Sequence, residues 1–448
     1  MRQEAFVVAG NFDAETLWRD EELCQLPFIP DKASILITSA LDELLFLLCK
    51  QGDVLLTNKA FDESLLNYVH QLGFSFYCNR EDLAKDSNSR GQSDVLKNLL
   101  EYTGEIKGVP HEGLLDKTFQ TFAVTKHSKA WCKKEGINYN YPELPVIKTV
   151  NSKRYSYELR KSFDIDIGSR LAESTEELIA FGTAMLKEGN PVILKDMFGV
   201  SGKGNLLVNG EGILNRLVKY IKKQEEKGMK VEFLLEPFLQ KEIDFTCIAF
   251  IEQDGTFRVL DIQYMQASGF AYSGTCELTK ELKEKIFASN YIPIVERACK
   301  ELYKAGYHGD VCIDSMLLPG GEFVPIVEIN ARKSMTYMKY CLDAYLRQFH
   351  QRAKFTYAPF HAPYGYTVEN LLIMLEGEKL LYKPENGAGI MPLSANTLCL
   401  KKEMAEDKGK NLKSKGRLYY GIIGETMAEI EGISSKVNLL LAKYANNL

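Results

Sequence analysis

Along residues 1 to about 120, short apolar runs alternate with longer amphipathic segments. AFVVAG, SILITSA, GDVLLTN and FSFYCN predict strands. LDELLFLLCKQ and DESLLNYVHQLG predict helices, the second closed by Gly73. Strands alternating with helices predict a parallel α/β sheet. The polar run KDSNSRGQSD (85–94) predicts a surface loop, and SDVLKNLLEYTGE a helix. Further on, HSKAWCKKEGIN (127–138) ends a helix at Gly136, SKRYSYELRKSF (152–163) predicts a basic helix, and STEELIAFGTAMLKEG (174–189) opens with a Ser-x-x-Glu capping pattern. Two apolar triplets, Val192-Ile193-Leu194 and Leu206-Leu207-Val208, predict strands around a glycine-rich turn. GILNRLVKYIKKQEEKG (212–228) follows as an amphipathic helix. VEFLLEPFL, FTCIAFIE and FRVLDIQYM predict strands, and residues 281–306 one or two helices. VCIDSMLL and FVPIVEIN predict a strand pair joined by Pro319-Gly320-Gly321. The tail from about 346 holds a helix (TVENLLIMLEG), a glycine-rich bend (NGAGIM), a charged run (400–416) and a strand–helix pair.

Composition narrows the class. A chain of 448 residues has room for roughly two to four domains. Its 45% hydrophobic and 26% charged residues are ordinary for a globular protein. A net charge of -5 argues against nucleic acid as the main partner. The ten cysteines form no C-x-x-C pair and no Cys/His cluster at zinc spacing, which fits a reducing, cytoplasmic location without structural zinc. The N-terminus does not read as a secretory signal, and no apolar stretch approaches the ~20 residues that span a bilayer. LDELLFLLC is the most apolar segment, but Asp42 and Glu43 predict an amphipathic helix there and no membrane contact.

Two stretches carry candidate chemistry. The first is PVILKDMFGVSGKGNLLV (191–208). A P-loop would need glycine at Met197 and Ser or Thr at Gly204, and would lead from strand to helix. A strand–loop–strand with Lys195 on its first strand can still cradle phosphates through backbone N–H groups. An ordinary hairpin turn is the competing reading. The second stretch is IDSMLLPGGEFVPIVEINARKS (313–334). Glu328 and Asn330 share one face of their strand, and Asp314 on the adjacent strand can join them. Two carboxylates and an amide oxygen suit a hard cation such as magnesium. The alternative is a solvated acidic face, which the neighbours Ile313, Val327 and Ile329 disfavour.

Taken in order, the strand lysine, the glycine loop, the segment EPFL (236–239) and the Asp/Glu/Asn set resemble the ATP-grasp superfamily. The likeness is nearest to its carboxylate–amine ligases and covers roughly 150–335. It implies an α/β chain with an α+β core: an N-terminal pre-ATP-grasp domain (1–120), an ATP-grasp core (121–345) and a small C-terminal closing domain (346–448). The core divides into a central subdomain (about 150–240) and a metal-site subdomain (about 241–345). By the same resemblance, Lys153 and Lys195 are the nucleotide lysines, with Lys126 or Lys129 as rivals to Lys153 that lie farther from Lys195 than the family usually allows, and Ser201, Gly202 and Lys203 are the phosphate lid. Glu236 to Leu239 form the adenine hinge, with Phe238 inside it and the amide from Leu239. Asp244, or Glu242, holds the ribose. Asp314, Glu328 and Asn330 are the metal ligands, with magnesium or else manganese. Arg332 joins Lys203 at the transferred phosphate, and Ser334 meets an acyl or phosphate oxygen.

The implied reaction is ATP-dependent and ADP-forming. A small carboxylic acid or amino acid becomes an acyl phosphate and is joined to an amine, on an amino acid, a peptide or a carrier. A carboxylate–thiol ligase that loads a carrier protein and a small-molecule kinase remain alternatives. Homodimers are common in the family, although no interface signal stands out. One departure is Cys312, where D-alanine–D-alanine ligases carry an arginine. The segment 261–279 falls where the family places substrate loops, and its Tyr, Ser and Gly content suits an amide or amino acid as well as a plain loop. Trp18 and Arg19 read as packing and surface residues before substrate contacts.

Overall fold

The computed structural model of the chain describes residues 4–28, 31–83, 94–110, 113–200, 203–360, 366–398 and 416–446. Strands β1 (Phe6–Val8), β2 (Asp53–Leu55), β3 (Phe76–Cys78) and β4 (Thr118–Gln120) form a parallel sheet in the order β3-β2-β1-β4. The expected parallel α/β layer is therefore present, with two differences. SILITSA is not a strand but part of the helix Lys32–Ser39. Asp31 caps it by accepting from the Ala33 N–H at 3.1 Å, and its β-branched residues had suggested a strand. β4 was not anticipated, because three residues of TFQ carry no periodicity.

The segment Leu41–Leu48 is a 3₁₀ helix whose eight residues are all buried. Asp42 and Glu43 consequently do not form the polar face that the sequence suggested. Glu43 accepts backbone N–H bonds from Ala395 (2.8 Å), Asn396 (3.1 Å) and Thr397 (3.3 Å), and Asp42 accepts one from Asn58 (2.6 Å). The three Glu43 bonds stitch the N-terminal layer to the tail, while the Asp42 bond stays within that layer. Burial nevertheless lifts Asp42 from 3.8 to about 7 and Glu43 from 4.5 to about 8. A carboxyl raised in the folded state binds more protons there than in the unfolded chain, so stability falls as pH rises through that interval. We expect wild-type stability to decline from pH 5 to 8 through these two groups, and Glu43→Gln to flatten the decline. Denaturant unfolding across that pH range measures it.

β5 (Arg170–Ala172), β6 (Val192–Val200), β7 (Lys203–Val208) and β8 (Phe233–Pro237) form a second, antiparallel sheet in the order β5-β8-β6-β7. The glycine-rich stretch is thus a hairpin, and its turn leads directly into a strand and not into a helix. Gly204 has φ +98°, which glycine adopts without a Cβ clash. The helices Thr175–Lys187 and Glu211–Glu225 cover this sheet and bury Leu178, Leu214, Leu217 and Ile221 against it.

The third sheet is the largest. β9 (Ile243–Ile251), β10 (Phe257–Ser268), β11 (Ala271–Glu277), β12 (Gly309–Leu317), β13 (Phe323–Asn330), β14 (Arg352–Phe360), β15 (Gly389–Pro392) and β16 (Gly416–Gly424) run in the order β13-β12-β9-β10-β11-β14-β16-β15. Segment 261–279 is therefore largely a β-hairpin and not a loop, and the NGAGIM bend leads into β15. Residues 281–306 resolve into two helices, Lys280–Ala288 and Tyr291–Lys304. The tail strands β14, β16 and β15 continue the sheet that carries Asp314 and Glu328. Among the described residues no helix is long and apolar enough to cross a membrane.

Candidate active site

The site is built where the second and third sheets meet. β13 is an edge strand, so one side of its backbone needs partners other than a strand. They come from the chain just before and within the helix Lys153–Ser162. Asn151 Oδ1 accepts from the Ala331 N–H at 2.9 Å, and Ser156 Oγ accepts from the Ile329 N–H at 3.0 Å. Arg160 Nη1 donates to the Val327 carbonyl at 2.9 Å. These three bonds fix the backbone on either side of Glu328.

The helix also presents charge. Ser152 caps it by accepting from the Tyr155 N–H at 3.1 Å. Lys153 then sits in the first turn, where a cation opposes the helix dipole. Its compensation is Glu328, whose Oε1 lies 2.7 Å from the lysine Nζ. Seven residues on, and hence on the same face, Arg160 is fully buried and reaches the second sheet as well. It donates to Glu236 on β8 and to Ser169 Oγ at 3.0 Å. Glu236 Oε2 meets Lys195 Nζ of β6 at 2.5 Å. Burial opposes ionisation of Glu236, but Lys195 and Arg160 outweigh it and hold the carboxyl down at about 2.

On the third sheet, register places the remaining groups on one face. Asp314 on β12 stands directly opposite Glu328 on β13 and Thr246 on β9. Asp314 Oδ1 accepts from Thr246 Oγ1 at 2.7 Å, and its Oδ2 from Asn330 Nδ2 at 2.9 Å. Arg332 Nη2 donates to Asn330 Oδ1 at 3.0 Å, and Arg332 Nε to Glu15 Oε1 of the N-terminal layer at 2.5 Å. Burial and the nearby Glu328 raise Asp314 from 3.8 to about 6. Burial also disfavours charge on Glu328, yet Lys153, Lys195 and Arg332 prevail and its carboxyl lies below the ordinary range.

Lys153, Lys195, Asp314, Glu328, Asn330 and Arg332 are thus brought together. The hinge residues lie beside them. The Phe238 N–H donates to the Pro191 carbonyl at 2.7 Å and its ring is exposed, while the Leu239 amide has no hydrogen-bond partner among the described residues. Asp244 is on the same face of β9 as Thr246 and pairs with Lys241. Glu242 lies at the surface, its amide on the Leu317 carbonyl. Ser201 and Gly202 lie outside the described residues, as does the side chain of Lys203, whose backbone opens β7. Ser334 caps the helix Met335–Leu346 by accepting from the Tyr337 N–H, and its hydroxyl donates to Cys312 Sγ at 3.2 Å. Trp18 is packed, with its indole N–H on the Val124 carbonyl, and Arg19 pairs with Asp196. Sequence reasoning did not single out Glu15, Arg160 or Thr246. The only signal for Arg160 was its seven-residue spacing from Lys153.

The oxygens of Asp314, Glu328 and Asn330 fit a hard divalent cation. Among the described residues no group of three or more His, Cys, Asp and Glu stands at ligand geometry, so the third oxygen would be the amide of Asn330. Burial first, and the Glu328 carboxylate second, keep a proton on Asp314 to about pH 6, and a bound cation would offset both by favouring the ionised carboxylate. Cation and proton compete for the carboxylate, so Mn2+ affinity should weaken as pH drops below about 6. Mn2+ titration followed by water-proton relaxation tests this, and a constant affinity from pH 5 to 7 would contradict it.

No protein-family model matches the chain. It is 29% identical over 216 residues to the [butirosin acyl-carrier protein]–L-glutamate ligase of Niallia circulans, a match of 46% of this chain and 48% of the relative. The aligned region thus spans about half the length of that curated relative. Among solved structures, N5-carboxyaminoimidazole ribonucleotide synthetase from Thermus thermophilus superposes with a TM-score of 0.51 at 11% identity, over 98% of each chain. The biotin carboxylase domain of the Hydrogenobacter thermophilus 2-oxoglutarate carboxylase, solved with ADP, its magnesium salt and bicarbonate, gives 0.50 at 14% identity over 94% of this chain and 86% of that one. The architecture is the ATP-grasp fold.

Proposed function

We propose that this chain is an ATP-dependent, ADP-forming ligase that activates a carboxylate as an acyl phosphate and joins it to an amine. One observation carries the reading: the opposed pair Asp314 and Glu328, tied to Asn330 and faced by Lys153, Lys195 and Arg332, at the meeting of two sheets. Phosphoryl transfer asks for positioning and charge neutralisation more than covalent protein chemistry, and these side chains offer both. Lys153 and Lys195 would hold phosphate oxygens, and Ser201, Gly202 and Lys203 would serve as the phosphate lid. Phe238 and the Leu239 amide would meet the adenine edge, and Asp244 the ribose. Arg332 would neutralise the transferred phosphoryl group. A magnesium or manganese ion held by Asp314, Glu328 and Asn330 would supply Lewis-acid charge at the phosphates. The three-part division at about 120 and 345, a homodimeric assembly and a cytoplasmic location complete the reading.

The carboxylate is an amino acid in this account, with L-glutamate the first candidate because the curated relative's name specifies it. That name also favours a second reading of the acceptor, a group carried on an acyl-carrier protein, with a thiol there as the alternative to an amine. ADP and phosphate release from magnesium-ATP against a pooled amino acid panel, followed by mass spectrometry of active pools, tests the proposal. Turnover with a condensed product supports it. Cleavage of ATP to AMP and pyrophosphate would overturn it.

A further inference from the structure

The face of the large sheet that carries Asp314 continues into a second polar cluster. Gln263 on β10 stands directly opposite Thr246, which stands directly opposite Asp314. Two inter-strand steps, about 10 Å, separate Gln263 from Asp314. Over Gln263 lies the helix Met335–Leu346, which brings Lys339 and Asp343 onto the sheet. Gln263 and Lys339 are each only 1% exposed.

The Gln263 amide nitrogen donates to Asp261 Oδ2 at 2.9 Å and to Asp343 Oδ2 at 3.4 Å. Two carboxylates on that side fix the amide's orientation, since turning it over would set its oxygen against both. Its oxygen is then buried without a hydrogen-bond partner among the described residues, and so is Asp343 Oδ1. Lys339 donates to the other oxygen of Asp343, which leaves its ammonium with spare donors. Buried polar groups in folded proteins are ordinarily paired, and a charged pair gives the core little that apolar side chains would not. Neither the nucleotide nor the metal reading uses these residues.

We infer that this cluster receives the head group of an α-amino acid substrate. Its ammonium bonds to Gln263 Oε1 and Asp343 Oδ1, and its α-carboxylate to Lys339. A simple amine would meet Lys339 as a like charge, and a simple acid would meet Asp261 and Asp343. A zwitterion satisfies both sets. The inference deepens the ligase reading and rests on it: the amino acid is anchored here by the end that does not react, and its distal carboxylate extends along the sheet toward Asp314.

Equilibrium dialysis of the full chain with magnesium and a non-hydrolysable ATP analogue tests it, against an equimolar pool of the protein amino acids read by mass spectrometry. One or a few amino acids should be retained. Analogues of a retained amino acid that lack the amino group or the α-carboxylate should bind about 10- to 100-fold more weakly, the value of one charge-assisted hydrogen bond or two. Asp343→Asn should remove the preference over the desamino analogue, and Lys339→Met the preference over the decarboxylated one, with nucleotide affinity within about 2-fold of wild type. The wild-type analogue series decides the question if either variant fails to fold. Retention of no amino acid, equal binding of the analogues, or unchanged selectivity in both variants would overturn the inference. ADP release with plain carboxylic acids and no retained amino acid would leave the ligase reading standing and this one rejected. Absence of ADP with every carboxylate would reject the ligase reading itself, while dialysis would still decide the head-group site.

Discussion

Glu328→Gln should leave the chain folded and lower ADP formation by about a thousandfold. The substitution keeps the shape and a hydrogen-bond acceptor for Lys153, whose Nζ lies 2.7 Å away, but removes the charge. Glu328 is the carboxylate kept ionised by Lys153, Lys195 and Arg332, whereas its neighbour Asp314 holds its proton to about pH 6. The site would therefore lose its more acidic oxygen ligand and, with it, its hold on a divalent cation. Several kcal/mol of charge stabilisation at the transferred phosphate corresponds to about three decades in rate. The folded state should lose only about 1–3 kcal/mol, for a charged hydrogen bond made neutral. Steady-state ADP release at saturating magnesium-ATP, beside a denaturation curve, separates the two effects. Activity within about tenfold of wild type would remove Glu328 from the reaction.

The second large effect concerns stability. Arg160→Met should destabilise the protein by about 3–5 kcal/mol, the cost of breaking a buried ion pair from one side. Arg160 is fully buried and serves Glu236, Ser169 and the Val327 carbonyl at once. Its removal leaves Glu236 with the Lys195 ion pair and a long bond from Ser169 Oγ (3.5 Å), and the β13 edge without one of its partners. Arg160→Lys should recover only part of the loss, because one ammonium cannot span three sites that a planar guanidinium fork reaches together. Arg154, earlier on the same helix and partly exposed, pairs with Glu173 and Glu232. Arg154→Ala should cost no more than about 1 kcal/mol, as solvent-screened pairs usually do. Urea midpoints of the three variants measure the contrast. Similar losses for Arg154→Ala and Arg160→Met would show that burial does not set the cost.

What the sequence made legible follows from what each signal encodes. The two-residue period of FVPIVEIN fixed the shared face of Glu328 and Asn330, and the Pro-Gly-Gly turn put Asp314 on the adjacent strand. The helix Lys153–Ser162 was legible from its period, whereas Lys153 was singled out only through the family resemblance, which expects a lysine where such a helix opens. Arg160 was not, because a basic helix looks solvated until the sheets that bury it are known. Glu15 lies 317 residues from Arg332, and no local pattern reports such a contact. SILITSA misled through its β-branched residues, whose strand preference is overridden by the Asp31 cap and by burial of Ala33 and Ile37 on one helical face. Asp42 and Glu43 misled through their charge, because a carboxylate that accepts backbone N–H bonds can lie inside. The tail strands were read as a closing unit, and their pairing to β11 through β14 was set by contacts with no local sequence signature.

The central claim is that a substrate carboxylate is phosphorylated at the site formed by Asp314, Glu328, Asn330, Lys153, Lys195 and Arg332. It is tested most directly by oxygen transfer. A substrate labelled with 18O in its carboxylate, turned over with magnesium-ATP, should release phosphate that carries one 18O per molecule of product, because the acyl phosphate oxygen leaves with phosphorus. Label in AMP, or unlabelled phosphate released in step with the condensed product, would contradict the account.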